Sequence, residues 1–599
     1  MTARRAAGVK TFDKVLIANR GEIACRLIAA CSAFGVKSVA VYSDADAGAL
    51  HARSADEAVA IGGGSAEESY LNVEKLLAAA AKTGAGAVHP GYGFLSERAH
   101  FAHAVESAGL VWVGPSPKVI DLMGNKIAAK LAAENAKIPT LPWARLAEGW
   151  SLAEFKRAAK DVGLPLLLKD AAGGGGRGMR IVKEESELEE KAESAAREAT
   201  GAFGSSEMFL ESFCAKARHI EVQVLGDTKG NVMVFGERDC SSQRRRQKVI
   251  EESPAPNLSD KTRSALWKAA RTLAKAVGYV NAGTCEFLVD ENENFYFLEM
   301  NTRLQVEHPV TELVWGVDLP VLQLQVARGD AIPEDVLGRT PRGHAIEARI
   351  YAEDPSRGHL PSPGTITDFS FSPSTNVRID AGCETGSKVP IFYDAMLAKV
   401  IAWGMSRAEA RVNLREALSH SNVSGVAWNG PFLVDLLEDK KFIEGRVHTE
   451  YIEEEYAGWK GKSRTEPARA VRASATTDNP TALSALELSP WFFFGDGSSN
   501  VKLSASAARA HALDAHDILT NSEEALLSGP LIAEYPGKVL KVNVRAGDRV
   551  KQGEVVVVCE SMKMEFAYPA PADSEVKAVH VKTGAIIPAR ALLVEWSVP

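Results

Sequence analysis

Short apolar runs alternate with helix-length segments over the first quarter of the chain, and this alternation restricts the fold more than any other feature. Four such runs begin at Lys14, Val39, Ala87 and Val111. Strands that alternate with helices predict a parallel sheet with helices packed against it. Ligands of such sheets bind beyond the carboxyl ends of the strands. The residues that follow or end these strands include Asn19, Gly21, His89 and Gly91.

Residues 126–345 combine helices with strand-like runs such as 219–225 and 283–289. Polar and apolar residues alternate in these runs, which predicts a sheet with one face in the core and one face in water. Residues 345–455 continue as a mixture of helices and strands. The predicted fold class is therefore α/β and α+β.

The composition is that of an ordinary globular protein, and it excludes several classes. The 599 residues suffice for about four domains. With 77 acidic and 69 basic residues the net charge is -8, which argues against a broad basic surface for nucleic acid but allows a local anion site.

The cysteines and the N-terminus bear on the compartment. Seven scattered cysteines without a C-x-x-C pair indicate a reducing compartment and no structural zinc. No apolar run approaches the ~20 residues of a membrane helix, and the short basic N-terminus lacks the apolar part of a secretory signal. We therefore expect a cytoplasmic protein with neither a membrane nor a nucleic acid as partner.

Four consecutive glycines, Gly173, Gly174, Gly175 and Gly176, follow an apolar run that ends at Lys169. Backbone N–H groups of such a loop can converge on a phosphate because no Cβ intervenes. The loop lacks the G-K-[ST] of a Walker motif and the spacing of a dinucleotide fingerprint. Taken alone, it predicts either a phosphate loop or a flexible surface turn.

Polar residues alternate out of the apolar run 295–301. On a strand, Glu299 and Asn301 point to the same face, and their oxygens are suitable ligands for magnesium. Glu286, on the preceding predicted strand, could add a carboxylate across a hairpin. A solvated polar face is the alternative, which the strongly apolar strand disfavours.

Two further polar residues follow this run. Arg303 could bind a planar carbonate through both of its terminal nitrogens, and Glu307 could act as a base beside it. A local basic cluster, Q-R-R-R-Q-K at 243–248, lies upstream in an otherwise acidic chain. Because acidic residues follow it at once, the cluster favours an anion site over a nucleic-acid patch, and a solvated face remains possible.

The last 71 residues contain an internal repeat. One copy has Val539, Val542, Val544 and Gly547, and the second has Val576, Val579, Val581 and Gly584. Two strand-turn-strand units predict a flattened β-barrel of two similar halves. The hairpin between them carries E-S-M-K-M-E at 560–565 and would expose Lys563 at its tip.

Composition shifts between the barrel and the rest of the chain. The intervening residues are rich in Ala, Ser, Thr and Asp and contain one apolar island, 491–494. They predict a linker or a small docking element. The predicted domains are 12–125, 126–344, 345–458, 459–528 and 529–599.

Taken together, these residues resemble biotin carboxylase, an ATP-grasp enzyme, over 12–455. The resemblance is carried by I-A-N-R-G-E-I-A at 17–24, H-P-G-Y-G-F-L-S-E at 89–97, the tetraglycine run and the run from Glu299 to Glu312. Residues 529–597 resemble a biotin carboxyl carrier domain. The domain order is similar to that of the α subunit of acyl-CoA carboxylases.

The resemblance implies roles for residues that the motifs match. ATP would be bound by Lys126, Lys169, the loop Gly173–Gly176, Glu211, Cys214, His219 and Gln243. Magnesium or manganese would be held by Glu286, Glu299 and Asn301. Bicarbonate would be held by Lys248, Arg303, Gln305 and Val306. Glu307 would deprotonate it, Arg349 would stabilise the biotin enolate, and Lys563 would carry biotin through an amide bond.

Four positions depart from the family pattern, and none of them removes a catalytic group. They are Asp170, Ser212, Arg246 and Ser561. The aspartate could weaken ATP binding beside Lys169, and the serine beside Lys563 could affect recognition by biotin protein ligase.

The resemblance implies ATP- and bicarbonate-dependent carboxylation of biotin on the chain's own carrier domain. The carboxybiotin would supply a separate carboxyltransferase β subunit that acts on acetyl-CoA or propionyl-CoA, within a hetero-oligomer. Two alternatives are a subunit of a pyruvate or other 2-oxoacid carboxylase and a non-catalytic biotinylated scaffold. Retention of Lys248, Glu299, Arg303, Glu307 and Arg349 disfavours the scaffold.

Overall fold

The computed structural model describes residues 11–146, 150–170, 179–191, 208–372, 374–461, 529–562 and 564–597. The chain divides into two compact units, 1–461 and 462–599, which are described separately. The tetraglycine loop, the apolar island at 491–494 and Lys563 lie outside the described residues. Every helix within them is too short or too polar to span a bilayer.

The first unit begins with a five-stranded parallel sheet in the order β3-β2-β1-β4-β5. The strands are β1 (Lys14–Ile17), β2 (Lys37–Tyr42), β3 (Glu57–Ala60), β4 (Ala87–His89) and β5 (Val111–Trp112). The helices are α1 (Gly21–Phe34), α2 (Leu50–Ser54), α3 (Val73–Thr83), α4 (Ala99–Ser107) and α5 (Pro117–Gly124). The predicted parallel sheet is confirmed. The edge strand β3 was not predicted, because its partly exposed residues form no apolar run.

The loops after β1 and β4 meet at the carboxyl edge of this sheet. The side-chain amide of Asn19 donates to the carbonyl oxygens of Pro90 and Tyr92, both at 2.7 Å. A Cβ added at Gly91 would lie 3.1 Å from that amide nitrogen. These two residues therefore brace the two loops against each other.

A small antiparallel sheet follows, with the order β6-β9-β7-β8. Its elements are α6 (Lys126–Asn135), β6 (Trp143–Leu146), α7 (Leu152–Val162), β7 (Leu166–Asp170), β8 (Arg180–Val182) and β9 (Met208–Ser212). The carboxylate of Glu211 on β9 forms ion pairs with Lys169 on β7 and with Lys130 on α6. All three side chains are buried, so one carboxylate fastens the helix to the sheet.

The next elements are β10 (Arg218–Gly226), β11 (Val232–Arg244), β12 (Gln247–Ser253), α8 (Asp260–Ala276), β13 (Asn281–Val289), β14 (Phe295–Asn301), α9 (His308–Trp315), α10 (Leu319–Arg328), α11 (Glu334–Leu337) and β15 (His344–Tyr351). After these come β16 (Glu353–Asp354), β17 (Leu360–Pro361), β18 (Gly364–Thr365), β19 (Asp368–Ser370), β20 (Val377–Ala381), β21 (Lys388–Val389), β22 (Met396–Gly404), α12 (Arg407–Ser419), β23 (Asn422–Ser424), α13 (Gly430–Leu437), α14 (Lys440–Ile443) and α15 (Tyr451–Glu455).

Eight of these strands form one antiparallel sheet in the order β14-β13-β10-β11-β12-β15-β22-β20. One face packs against α8 through apolar residues such as Val222, Phe287 and Leu273. On the other face, Phe235 and Ile401 share a core cluster with Val310 of α9. Helices therefore cover both faces.

The prediction of one solvated face on this sheet is wrong. Glu221 and Gln223, the polar residues of the run 219–225, are 0% exposed. Alternation showed that the two faces differ in polarity, but the polar face is covered by protein. Its charges are compensated by cations from neighbouring strands, such as Arg238, whose Nε lies 2.5 Å from Glu221.

The second unit contains two four-stranded sheets, β24-β31-β29-β26 and β28-β27-β25-β30. Their strands are β24 (Leu531–Ile532), β25 (Gly537–Val542), β26 (Arg549–Val550), β27 (Val555–Ser561), β28 (Met564–Pro569), β29 (Ser574–Val579), β30 (Ile586–Ile587) and β31 (Leu592–Ser597). The repeat has a structural counterpart, since Gly547 and Gly584 have φ values of 91° and 87°. Val539 and Val576 are both buried in the core. The predicted two-halved β structure is confirmed.

We predict that Glu211→Gln destabilises the first unit by about 3–5 kcal/mol, because it leaves two buried ammonium groups without their carboxylate. Glu189→Gln is the matched control, since it removes an exposed carboxylate 3.4 Å from Lys156, and pairs of that kind contribute at most about 1 kcal/mol. Denaturant unfolding of both variants measures the difference. Equal, small effects would contradict the proposed role of Glu211 as the fastening point.

Candidate active site

Three carboxylates form a row across neighbouring strands on the covered polar face of the eight-stranded sheet. Glu286 of β13 lies directly opposite Glu299 of β14 on one side and Glu221 of β10 on the other. Residues opposite each other on antiparallel strands have Cβ atoms about 4.5–5.5 Å apart. The hairpin arrangement predicted for Glu286 and Glu299 is therefore present. Because Glu221 and Glu286 are buried, their like charges require cations beside them.

Lys248 of β12 supplies the central cation. Its Nζ lies 2.6 Å from Glu221, 3.0 Å from Glu286 and 2.7 Å from Glu307. Burial opposes the charge, but these carboxylates raise the pKa of Lys248 well above its usual value. An ammonium group has three N–H donors, and three carboxylates surround this one.

Glu307 is the residue immediately before α9 and is fully buried. Its second oxygen accepts a hydrogen bond from Nη2 of Arg349 at 2.9 Å. Burial alone would raise the pKa of Glu307, but the charges of Lys248 and Arg349 hold it well below its usual value. The side chain is therefore an ionised carboxylate at neutral pH, in contact with two of the predicted catalytic cations.

Arg303 joins the row through two neighbouring amides. Its guanidinium donates to Oε1 of Gln305 at 2.7 Å and to Oδ1 of Asn301 at 3.1 Å. Both amides in turn donate to Glu286, at 3.0 and 2.8 Å. Its Nε also lies 2.8 Å from Glu97, on a loop that follows β4. Arg303 is thus held from both sides.

Glu286 and Glu299 offer carboxylate oxygens of the kind that bind a divalent cation. Burial and then the negative charge of Glu286 raise the pKa of Glu299. Burial would also raise the pKa of Glu286, but Lys248 and His219 lower it. Two carboxylates that repel each other on one face present the oxygen donors that magnesium prefers. Asn301, the third predicted ligand, adjoins the pair through its hydrogen bond to Glu286.

The predicted phosphate-binding residues lie around the small sheet. Lys169 is buried on β7 beside Glu211, and Lys126 is the first residue of α6. The glycine loop Gly173–Gly176 follows β7 and lies outside the described residues. Lys130, one helical turn after Lys126, was not predicted, although residues four apart share one face of a helix.

The remaining predicted nucleotide residues have separate surroundings. Nε2 of His219 lies 3.1 Å from Glu286, so this residue adjoins the carboxylate row. Gln243 is buried and donates to the carbonyl oxygen of Cys240 at 3.3 Å. No hydrogen bond in the described part of the chain links Cys214 to the row; burial and nearby Asp290 raise the pKa of its thiol.

The predicted basic cluster at 243–248 forms the tight hairpin between β11 and β12. Arg245 and Arg246 occupy its turn with φ values of 47° and 67°, and Arg244 pairs with Glu353 at 3.2 Å. Lys248 is the member of this cluster that enters the carboxylate row. The predicted anion site therefore includes fewer residues of this cluster than the sequence pattern indicated.

Several residues that build this site were missed by the sequence analysis. They are Glu221, Arg238 and Glu251. Glu251 lies 2.5 Å from Arg349, and burial raises its pKa to about 7. In the sequence, these residues are distinguished only as charged residues inside apolar strands. That position does not indicate which strands become neighbours in the sheet.

Four family models match this chain. They are "Biotin carboxylase, N-terminal domain" at 11–120, "Carbamoyl-phosphate synthase L chain, ATP binding domain" at 125–335, "Biotin carboxylase C-terminal domain" at 347–454 and "Biotin-requiring enzyme" at 528–595.

Two relatives illustrate the range of similarity. The propionyl-CoA carboxylase alpha chain of Ruegeria pomeroyi is 38% identical over 96% of this chain and 98% of that protein. The mitochondrial methylcrotonoyl-CoA carboxylase subunit alpha of Arabidopsis thaliana is 46% identical over 80% of this chain, and the match covers 66% of that protein.

Solved structures match the first unit. Biotin carboxylase of Campylobacter jejuni, in a βγ-ATP complex, is 44% identical over 74% of this chain and 99% of its own, with a TM-score of 0.72. The biotin carboxylase domain of Hydrogenobacter thermophilus 2-oxoglutarate carboxylase, with MgADP and bicarbonate, is 43% identical over 74% of this chain and 97% of its own, with a TM-score of 0.71. Matches to both units, at these identities, show that the chain belongs to the biotin-dependent carboxylases, as an ATP-dependent biotin carboxylase subunit that also contains a biotinyl domain.

Proposed function

We propose that the chain carboxylates biotin on its own biotinyl domain and supplies the carboxyl group to a separate carboxyltransferase β subunit that acts on an acyl-CoA. The observation that carries the first half is the position of Glu307, buried and ionised between Lys248 and Arg349. A base that is held between two cations is suited to an anionic substrate, because the cations offset the charge that the substrate brings.

Bicarbonate would bind between Arg303 and Lys248. A guanidinium group can bind a planar carbonate through two parallel hydrogen bonds, and the contacts of Arg303 with Gln305 and Asn301 restrict its orientation. Glu307 would accept the proton of bicarbonate. The freed oxygen would then attack the γ-phosphorus of ATP, and ADP would leave with the electron pair of the broken P–O bond.

The nucleotide would bind with its phosphates near Lys126, Lys169 and the Gly173–Gly176 loop. Magnesium, held by Glu286 and Glu299 with Asn301 beside them, would neutralise charge on the phosphates; manganese suits the same oxygens. Arg349, fixed by Glu251 and Glu307, would stabilise negative charge on the ureido group of biotin.

Biotin would be attached to Lys563. The two strands beside it form a hairpin in which Ser561 pairs with Met564. Ser561 is only 1% exposed, so its side chain faces the core of the domain. We therefore expect that this departure from the family pattern does not affect the surface that a biotin protein ligase contacts.

The acceptor is proposed from the relatives. Proteins named as propionyl-CoA or methylcrotonoyl-CoA carboxylase subunits align over 96–98% of this chain, including the biotinyl domain. Acetyl-CoA remains a candidate from the sequence resemblance alone. A 2-oxoacid acceptor is the second candidate, because the match to 2-oxoglutarate carboxylase covers the biotin carboxylase part.

We predict that wild-type protein from biotin-supplied cells binds streptavidin on a blot and that Lys563→Ala does not. Lys551→Ala, which changes an exposed lysine at another turn of the same domain, should still bind. All three should cleave ATP in a bicarbonate-dependent manner with free biotin. Retained streptavidin binding by Lys563→Ala would refute attachment there, and absent ATP cleavage in the wild type would refute the enzymatic proposal.

We predict that a tagged full-length chain copurifies from its native cells with a carboxyltransferase subunit, identified by mass spectrometry. The complex should carboxylate propionyl-CoA or methylcrotonoyl-CoA faster than acetyl-CoA, pyruvate or 2-oxoglutarate. Deletion of 485–500 should abolish copurification and spare carboxylation of free biotin. Preferential carboxylation of a 2-oxoacid, or normal assembly of the deletion variant, would overturn the corresponding part of the proposal.

A further inference from the structure

Lys399 of β22 places a fully buried ammonium group where three parts of the first unit meet. Its Nζ lies 3.0 Å from the carbonyl oxygen of Val306, in the turn between β14 and α9. It also lies 3.2 Å from Glu22 of α1 and 3.7 Å from Asp380 of β20. The side chain is 0% exposed. One cation thus links the N-terminal sheet region, the turn and the eight-stranded sheet.

The charge of Lys399 is compensated within this junction. Burial opposes it, but Glu22, Glu347 and Asp380 raise the pKa of Lys399. Asp380 has a second cation, since both of its oxygens accept from Arg378, at 2.7 and 2.6 Å. Glu22 forms an ion pair with Lys399. Neither of its carboxylate oxygens accepts a hydrogen bond of normal geometry among the described residues.

The turn that Lys399 contacts carries three functional groups in succession. Gln305 donates to Glu286, the carbonyl of Val306 accepts from Lys399, and Glu307 lies between Lys248 and Arg349. The two side chains are held by groups of the site itself. Lys399 holds the backbone between Gln305 and Glu307 from outside the site. It can therefore restrict how far apart these two side chains lie and where they point.

We propose that Lys399 is a positioning residue for bicarbonate activation, acting through its hydrogen bond to the Val306 carbonyl. The inference rests on the proposed roles of Gln305, Val306 and Glu307. Without this hydrogen bond, the turn can shift relative to Lys248 and Arg303, and the bicarbonate pocket loses its shape while the ATP-binding residues on α6 and β7 stay in place.

A purely structural role for Lys399 would be to neutralise Glu22. The two roles are separable, because Glu22 does not contact the turn residues directly in any hydrogen bond of the described structure. Lys399→Met/Glu22→Gln removes both members of the ion pair with little change in shape, so it avoids a buried carboxylate without a cation. Glu22→Gln alone keeps the hydrogen bond to Val306.

The experiment measures bicarbonate-dependent ATP cleavage by the full chain with free biotin, with KM for bicarbonate and for ATP. We expect the double variant to raise the bicarbonate KM about tenfold or more, the effect of losing one hydrogen bond to a charged group. Its KM for ATP should stay within about twofold, which is below the effect of one such bond. Lys399→Arg should recover part of the loss, and Glu22→Gln should resemble the wild type.

Arg407→Met is the matched control, since it breaks a partly buried bidentate pair with Glu252 away from the turn. It should lower stability without a selective effect on bicarbonate. An unchanged bicarbonate KM in the double variant would overturn the proposal. Equal rises in the KM for bicarbonate and the KM for ATP would also overturn it. The same would follow if Glu22→Gln or Arg407→Met selectively raised the bicarbonate KM.

These outcomes are distinguishable from failure of the proposed function. If the wild type shows no bicarbonate-dependent ATP cleavage, the proposed function fails and the inference about Lys399 fails with it. If the wild type is active and the double variant does not fold, Glu22→Gln still tests the proposal. A selective rise in its bicarbonate KM would contradict the role of the Val306 hydrogen bond, because this variant keeps that bond.

Discussion

The buried carboxylates on one face of the eight-stranded sheet dictate the arrangement of the rest of the site. Glu221, Glu286 and Glu307 lie out of water, where an uncompensated charge is costly. Lys248 reaches all three, and it can do so only because β10, β12 and β13 belong to one sheet and α9 begins above them. The strand order therefore determines which of these charges can meet.

This pairing has a consequence for substrate binding. The ammonium group of Lys248 has three donors and three carboxylate partners. An anion that binds to Lys248 must replace one of these partners or share a donor with it. Neutralisation of Glu286 by a cation at the adjacent carboxylate pair would make such an exchange less costly, because Glu286 would then depend less on Lys248. Metal and bicarbonate binding would thus favour each other.

The parts of this architecture that could be predicted from the sequence are those encoded within one short segment. The hairpin that sets Glu286 opposite Glu299 follows from two adjacent strands, and the biotinyl repeat follows from matched valines and glycines such as Gly547 and Gly584. The polar face of 219–225 was misinterpreted as solvated, because alternation reveals two unlike faces and not what covers them. Lys399 and Glu22 are 377 residues apart in number, and no local pattern indicates that they meet.

The most direct test of the central claim, that Glu307 is the ionised base, is the rate of bicarbonate-dependent ADP formation by Glu307→Gln. Glu347→Gln is the matched control: it changes another fully buried carboxyl of the same sheet, whose oxygens form no hydrogen bond among the described residues. We expect Glu307→Gln to lose at least about a hundredfold in rate, the usual contribution of a general base, with its KM for ATP retained and Glu347→Gln close to the wild type. A Glu307→Gln enzyme that keeps most of the wild-type rate would contradict the assignment.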